Sequence, residues 1–99
     1  MLSFLLLINN IIGFLIKIKN NIFDIETNFY YASIARSYLF EQKDNEIYKT
    51  IKNHTIKSNI IYETLLPIAK DLDYLSNKDV LMKIIDKLNI YEKLTLVGD

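Results

Sequence analysis

His54 is the only histidine in this 99-residue chain, and it is the first residue to consider for chemistry. It lies in a polar run, Lys52-Asn53-His54-Thr55, and the chain has neither a second imidazole nor a cysteine. A zinc site needs three or four His, Cys or carboxylate ligands, and a catalytic triad pairs its histidine with a nucleophile. The sequence therefore predicts that His54 is a surface residue and that the chain holds no metal ion.

Asp71 and Asp73 have the spacing that begins a calcium loop of the EF-hand type. The later positions of that loop do not fit, because Leu75 replaces the third ligand and Met82 stands where the bidentate glutamate is needed. We therefore interpret this segment as a solvated helix face.

Other catalytic arrangements have no better support in the sequence. Helical spacing does not bring Glu26, Glu41 or Glu63 together on an apolar face, where their pKa values would be perturbed. Phosphate-binding loops need clustered glycines, and the two glycines of this chain are far apart. We therefore predict no catalytic residue and no cofactor. The chain is not expected to be an enzyme by itself, although it can belong to an enzyme complex.

Seven tyrosines and five phenylalanines are many for a chain of this size. Most of them lie on helical stripes, which is typical of core residues and of interface anchors, and tyrosine is enriched at protein–protein contacts. The interface candidates predicted on this basis are Tyr30, Tyr31, Tyr38, Tyr48 and Tyr62.

The first element that would position these residues is an apolar N-terminal segment. Residues 1–16 have no charged side chain, and Lys17 and Lys19 follow. Three interpretations stay open: a membrane helix over residues 2–18, a helix buried in a soluble protein or complex, and, with the least support, a signal peptide. In the first two cases we expect the helix to face the membrane or a partner with Phe4, Leu7, Ile11 and Phe14.

Residues 20–99 have the pattern of a small helical domain, without the alternation that is typical of strands. Asn20-Asn21 is expected to end the first helix, and Asn21 can cap the second. We expect Asp44 to cap the third helix, Pro67 to lie in the first turn of a short helix, and Ser76 to cap a last helix that extends past residue 91. The second helix has an apolar stripe at Ile22, Phe23, Phe29, Tyr30, Ile34, Tyr38 and Leu39.

The sequence thus predicts an all-α fold in two parts. An apolar helix in residues 1–19 is membrane-embedded or buried in a complex, and residues 20–99 form an interaction domain of about four helices. Within that domain, Tyr31-x2-Ile34-Ala35-x2-Tyr38 resembles the first helix of a tetratricopeptide unit. The following helix departs from that family, because Ile47 and His54 stand where small residues are expected and Asn59 stands where proline is expected.

Charge and composition limit the function classes further. Twelve Lys and Arg residues balance twelve Asp and Glu residues, which argues against a nucleic-acid binder with a basic surface. The balance is uneven along the chain: residues 1–19 carry +2, and residues 20–99 carry −2, from ten bases and twelve acids. The excess of Ile, Lys, Asn, Tyr and Phe over Ala, Gly, Pro and Arg indicates an A/T-rich coding sequence.

In composition and layout, the whole chain resembles the small mitochondrially encoded accessory subunits of protist, especially ciliate, respiratory complexes. The resemblance involves no motif, and it implies an accessory role in the inner mitochondrial membrane, with NADH dehydrogenase as the first choice of complex. The predicted function is therefore a non-catalytic subunit whose partners are other protein subunits, with membrane contact through residues 2–18. The alternative is a soluble, cytoplasmic all-α interaction module, regulatory or immunity-like, from a low-GC bacterium or phage.

Overall fold

The computed structural model describes residues 2–97, with side chains from residue 4 to residue 93. Within this range the chain is helical throughout and has no strand, which confirms the predicted all-α fold. Six α-helices are present, together with single 3₁₀ turns at Ile56–Ser58 and Leu72–Tyr74. The helices are α1 (Leu2–Lys19), α2 (Ile25–Arg36), α3 (Asp44–Lys52), α4 (Ile60–Lys70), α5 (Asn77–Leu88) and α6 (Ile90–Val97).

Helix α1 packs against both α2 and α4, while α3 packs against α2, and α5 packs against α4 and α6. Its inward face is buried at helical spacing and consists of Leu7, Ile8, Ile11, Phe14, Leu15 and Ile18. These residues belong to one hydrophobic core that also includes residues of α2, α4, α5 and α6. Residues 1–19 and 20–99 therefore contribute to the same core.

The residues expected to face a membrane or a partner lie mostly inside this core. Leu7, Ile11 and Phe14 are buried, and Phe4 is half-buried at its edge. Phe14 packs against Tyr31 of α2, with ring centroids 6.4 Å apart. Within residues 2–97, none of the helices combines the length and the apolar character that crossing a membrane requires.

The end of α1 follows the predicted break, but the cap of α2 differs from the prediction. Asn21 has φ 55°, and the Ile22 N–H donates to the Lys17 carbonyl at 2.9 Å, which ends α1 in a Schellman motif. Asn21 does not cap α2. Asp24 does, since its carboxylate accepts from the Thr27 N–H at 3.0 Å while the Thr27 hydroxyl accepts from the Asp24 N–H at 3.3 Å.

Two further predictions about the helices are corrected by the structure. Lys43, not Asp44, is the N-cap of α3, and Asp44 instead accepts a hydrogen bond from Arg36 Nε at 3.0 Å. Pro67 lies inside α4, where it cannot donate to the Glu63 carbonyl. Burial of Ile61, Leu65, Ile68 and Ala69 along α4 compensates for this missing bond.

The C-terminal region contains two helices where one was predicted. Ser76 caps α5 as expected, since its hydroxyl accepts from the Asp79 N–H at 3.1 Å. Asn89, however, has φ 51° and ends α5 before α6 begins at Ile90. Asparagine tolerates this left-handed conformation better than other residues with a β-carbon, so its position decides where the helix breaks.

Two lysines at the end of α1 form ion pairs with the rest of the chain. Lys17 Nζ lies 2.9 Å from Asp24 Oδ2 and 2.8 Å from Glu26 Oε1, and Lys19 Nζ lies 2.8 Å from Asp73 Oδ1. The Lys17 ammonium, together with the Thr27 N–H, lowers the pKa of Asp24 from 3.8 to about 2. The native state therefore favours the ionised form of Asp24.

We predict a pH-dependent contribution of Asp24 to stability. Because the pKa of Asp24 is lower in the folded chain, its contribution is present above pH 4 and is lost as the pH falls toward about 2. Asp24→Asn keeps a good N-cap but removes the charge. Thermal melting followed by circular dichroism should show a larger decrease in Tm between pH 4 and pH 2 for the wild type than for D24N. Equal decreases would contradict the role assigned to this carboxylate.

Candidate functional site

A groove lies between the start of α2 and the segment that joins α3 to α4. Its volume is about 540 Å³, within the size range of ligand-binding sites. Four apolar residues line it, Phe23, Ile25, Ile51 and Ile56, and four polar residues complete it, Asp24, Asn28, His54 and Lys57. The groove is thus an apolar surface with polar and charged edges.

Beside this groove, α2 presents apolar side chains to solvent. Ile25 is 86% exposed and Phe29, one helical turn later, is 61% exposed. Phe23 precedes the helix and is also exposed. We call Phe23, Ile25 and Phe29 the α2 patch. Since contiguous exposed apolar surface commonly marks an interaction site, the α2 patch is the candidate site of this chain.

The α2 patch exists because α2 has apolar residues on two opposite faces. Thr27, Tyr31, Ile34 and Ala35 are buried on one face. Ile25 and Phe29 lie at spacing four on the other face, so they cannot enter the same core. The sequence pattern predicted one apolar stripe that included both Phe23 and Phe29, and it gave no prediction for Ile25. The four-residue spacing of Ile25 and Phe29, opposite Tyr31 and Ile34, was the signal that could have identified the patch.

Nearby side chains hold the α2 patch in place. The Phe23 ring lies 6.2 Å from the Tyr62 ring, and Lys57 Nζ lies 5.1 Å from the Phe23 centroid in a cation–π contact. Phe29 contacts Tyr30 edge-on at 6.1 Å. An apolar centre with charged residues at its edge is the usual anatomy of a protein–protein interface.

The predicted tyrosines occupy different environments. Tyr30 and Tyr62 are half-buried and adjoin the α2 patch through Phe29 and Phe23. Tyr48 is exposed on α3, and Lys52 Nζ lies 5.7 Å from its ring. Tyr38 is half-buried next to the core. The structure therefore brings two of the five candidates to the patch.

Tyr31 is fully buried within the chain. Its hydroxyl donates to Gln42 Oε1 at 3.1 Å, which ties α2 to the segment before α3. Burial raises the pKa of this phenol above 10.0, because removal from water disfavours the charged form. The side chain thus stabilises the core.

His54 has a backbone role that explains its position at the groove edge. Its φ is 56°, and the Thr55 N–H donates to the Thr50 carbonyl at 3.0 Å while the His54 N–H donates to the Ile51 carbonyl at 3.2 Å. These two bonds end α3 in a Schellman motif. His54 is exposed, as predicted. Between residues 2 and 97, no group of three His, Asp or Glu residues is arranged to hold a metal ion.

No protein-family model, no curated protein and no solved structure matches this chain. Its function therefore has to be inferred from its own surface. That surface offers the α2 patch with its adjoining groove and, on the other side of Tyr30, the exposed face of α1.

Replacing His54 should separate its backbone role from any role of the imidazole. His54→Gly is expected to raise the free energy of unfolding by about 1 kcal/mol, because glycine adopts positive φ without strain. His54→Ala removes the imidazole equally but keeps the β-carbon, so it should not stabilise the chain. Urea unfolding of the two variants measures the difference, and destabilisation by both would contradict the capping role.

Proposed function

We propose that this chain is a non-catalytic accessory subunit that binds other protein subunits of a larger assembly through the α2 patch. The observation that carries the proposal is the exposure of Ile25 and Phe29 on a helix whose opposite face is fully buried. Two such apolar side chains in solvent do not help the isolated chain to fold. A partner that covers them gains the free energy of their burial, about 1.5–3 kcal/mol for each side chain.

The size and charge of the chain support the same proposal. A chain of 99 residues builds a small core, and contact with a partner adds apolar burial that the chain cannot supply alone. Its zero net charge suits contact with protein better than contact with nucleic acid. The charges at the edge of the α2 patch, Asp24 and Lys57, can set the orientation of a partner.

For the host assembly, we propose a mitochondrial respiratory complex, with NADH dehydrogenase first. Support comes from the resemblance in composition to mitochondrially encoded accessory subunits of protists and from the uncharged residues 1–16. Leu5, Leu6 and Ile16 of this segment are exposed on α1, where an apolar surface of another chain can cover them.

The second candidate function is a soluble all-α interaction module, and one observation favours it. The inward face of α1 completes the chain's own core, so the chain has a use for this apolar helix without a membrane. Alkaline extraction of membranes distinguishes the two candidates. Release of the chain as a stable monomer supports the module, and retention supports the membrane-associated subunit.

We predict that changes in the α2 patch remove the chain from its assembly. Ile25→Lys and Phe29→Lys should leave the fold intact, because both side chains are exposed, yet should abolish co-migration with other subunits on native gels. Tyr74→Lys is the matched control, since Tyr74 is as exposed as Ile25, at 86%, but lies outside the patch. Mass spectrometry of the native band identifies the partners.

Three outcomes of that experiment are distinguishable. Loss of co-migration in I25K and F29K, with retention in Y74K, supports binding through the α2 patch. If the wild-type chain migrates alone, the accessory-subunit proposal fails. If I25K and F29K co-migrate like the wild type, the contact surface lies elsewhere and the proposed site is wrong.

A further inference from the structure

The outward face of α1 carries a second regular pattern. Leu5, Asn9, Ile12 and Ile16 follow one another at spacings of four, three and four residues. This is the spacing of the d and a positions of a coiled-coil heptad, with Leu5 and Ile12 at d and Asn9 and Ile16 at a. Leu5 is 56% exposed, Ile16 is 51% exposed, Asn9 is exposed and Ile12 is half-buried. We call these four residues the α1 seam.

The rest of the fold stabilises and positions the helix that carries the α1 seam. The opposite face of α1 is buried against α2 and α4, so the helix is already formed and positioned before any partner arrives. A coiled coil of isolated helices needs several heptads, because its association must also offset the free-energy cost of forming the helices. A seam on a helix that its own bundle already stabilises does not carry this cost.

The charged side chains at the edge of the seam are paired within the chain. Lys19, at the next d position, pairs with Asp73 at 2.8 Å. Arg36, which lines a groove with Leu6, pairs with Asp44 at 3.0 Å. Residues 1–16 have no charged side chain, and Leu6 and Gly13 occupy the e positions beside the seam. The ring of Tyr30 covers Gly13 so closely that a β-carbon there would lie 2.6 Å from it. Through Tyr30 the uncharged surface continues to Phe29. An uncharged face is complementary to itself, which is the condition for a twofold contact.

Asn9 indicates which occupant fits the seam best. An amide in the middle of an apolar strip needs a hydrogen-bond partner when it is covered, and lipid chains offer none. A second copy in parallel register places another Asn9 at the same level, and an asparagine pair at an a position selects a parallel two-stranded arrangement. An antiparallel arrangement centred on the seam would place Asn9 against Ile12 and leave the amide without a partner.

We infer that the α1 seam is a homodimer contact, in which α1 packs in parallel against α1 of a second copy and the two Asn9 amides hydrogen-bond to each other. A contact made by one helix of each copy belongs to the small end of the size range of specific interfaces, so we expect a reversible dimer. The contact lies on α1 and borders the α2 patch at Tyr30 and Phe29. It goes beyond the proposed function because it joins two copies of this chain.

Sedimentation of the purified full-length chain tests whether the dimer forms. The wild type should show a reversible monomer–dimer equilibrium in the micromolar range. Ile16→Lys should raise the dissociation constant of the dimer at least tenfold. Ile60→Lys is the matched control, because Ile60 is exposed to a similar extent, 56%, but lies on α4. Circular dichroism checks that both variants remain folded. A wild type that is monomeric at about 200 µM, about 100 times a low-micromolar dissociation constant, overturns the inference.

The absence of cysteine from the sequence allows a direct test of register. Equivalent a positions in a parallel pair lie within disulfide distance, so Ile16→Cys should oxidise to a covalent dimer at low micromolar concentration. Ile60→Cys should remain mainly monomeric under the same conditions. If I16C crosslinks no faster than I60C, the seam is not a contact between copies. If only a mixture of Leu5→Cys and I16C chains crosslinks, the two helices are antiparallel and the parallel seam is wrong.

Replacing Asn9 tests its part in the contact. A buried asparagine at an a position limits the oligomer state at a cost in stability. Asn9→Leu should therefore strengthen association and give species larger than a dimer. An N9L chain that remains a dimer with unchanged affinity contradicts the asparagine pair. These measurements use the purified chain alone. A monomeric chain that still co-migrates with other subunits on native gels therefore refutes the seam and leaves the proposed function standing.

Discussion

Burial of the inward face of α1 is the interaction on which the rest of the structure depends. The short helices α2 and α4 are only 12 and 11 residues long, and helices of that length are marginal by themselves in water. Both pack against α1, and their buried residues meet its buried residues in one core. An 18-residue apolar helix thus gives two short helices a common surface to pack against, and α5 packs in turn on α4.

The turn between α1 and α2 shows how a few polar contacts fix that arrangement. The Schellman motif at Asn21 reverses the chain, and the capping box of Asp24 and Thr27 starts the next helix. Lys17 then joins the end of α1 to the start of α2 through Asp24 and Glu26. Thr27 is buried, and its hydroxyl donates to the Ile22 carbonyl at 2.8 Å, so the turn is satisfied internally. The direction of α2 along α1 follows from this set of local bonds.

A consequence of this architecture is that α1 and α2 each have apolar residues on two faces. One face of each helix completes the core, and the other face carries the α1 seam or the α2 patch. Such helices are unusual for an isolated domain, in which the outer face is normally polar. The exposed apolar side chains on these outer faces support the proposed role as a subunit, because contact with a partner removes them from water.

The sequence by itself determined the helical class, the break after α1, the exposed position of His54 and the Ser76 cap, because these depend on local periodicity and local hydrogen bonds. Only the tertiary structure decided which apolar stripe of each helix is covered. Phe14 and Tyr31 are buried because α1 meets α2 there, whereas Ile25 and Phe29, equally apolar, have no helix opposite them. Pro67 inside α4 has the same explanation, because burial along α4 outweighs the local preference of proline for the first turn of a helix.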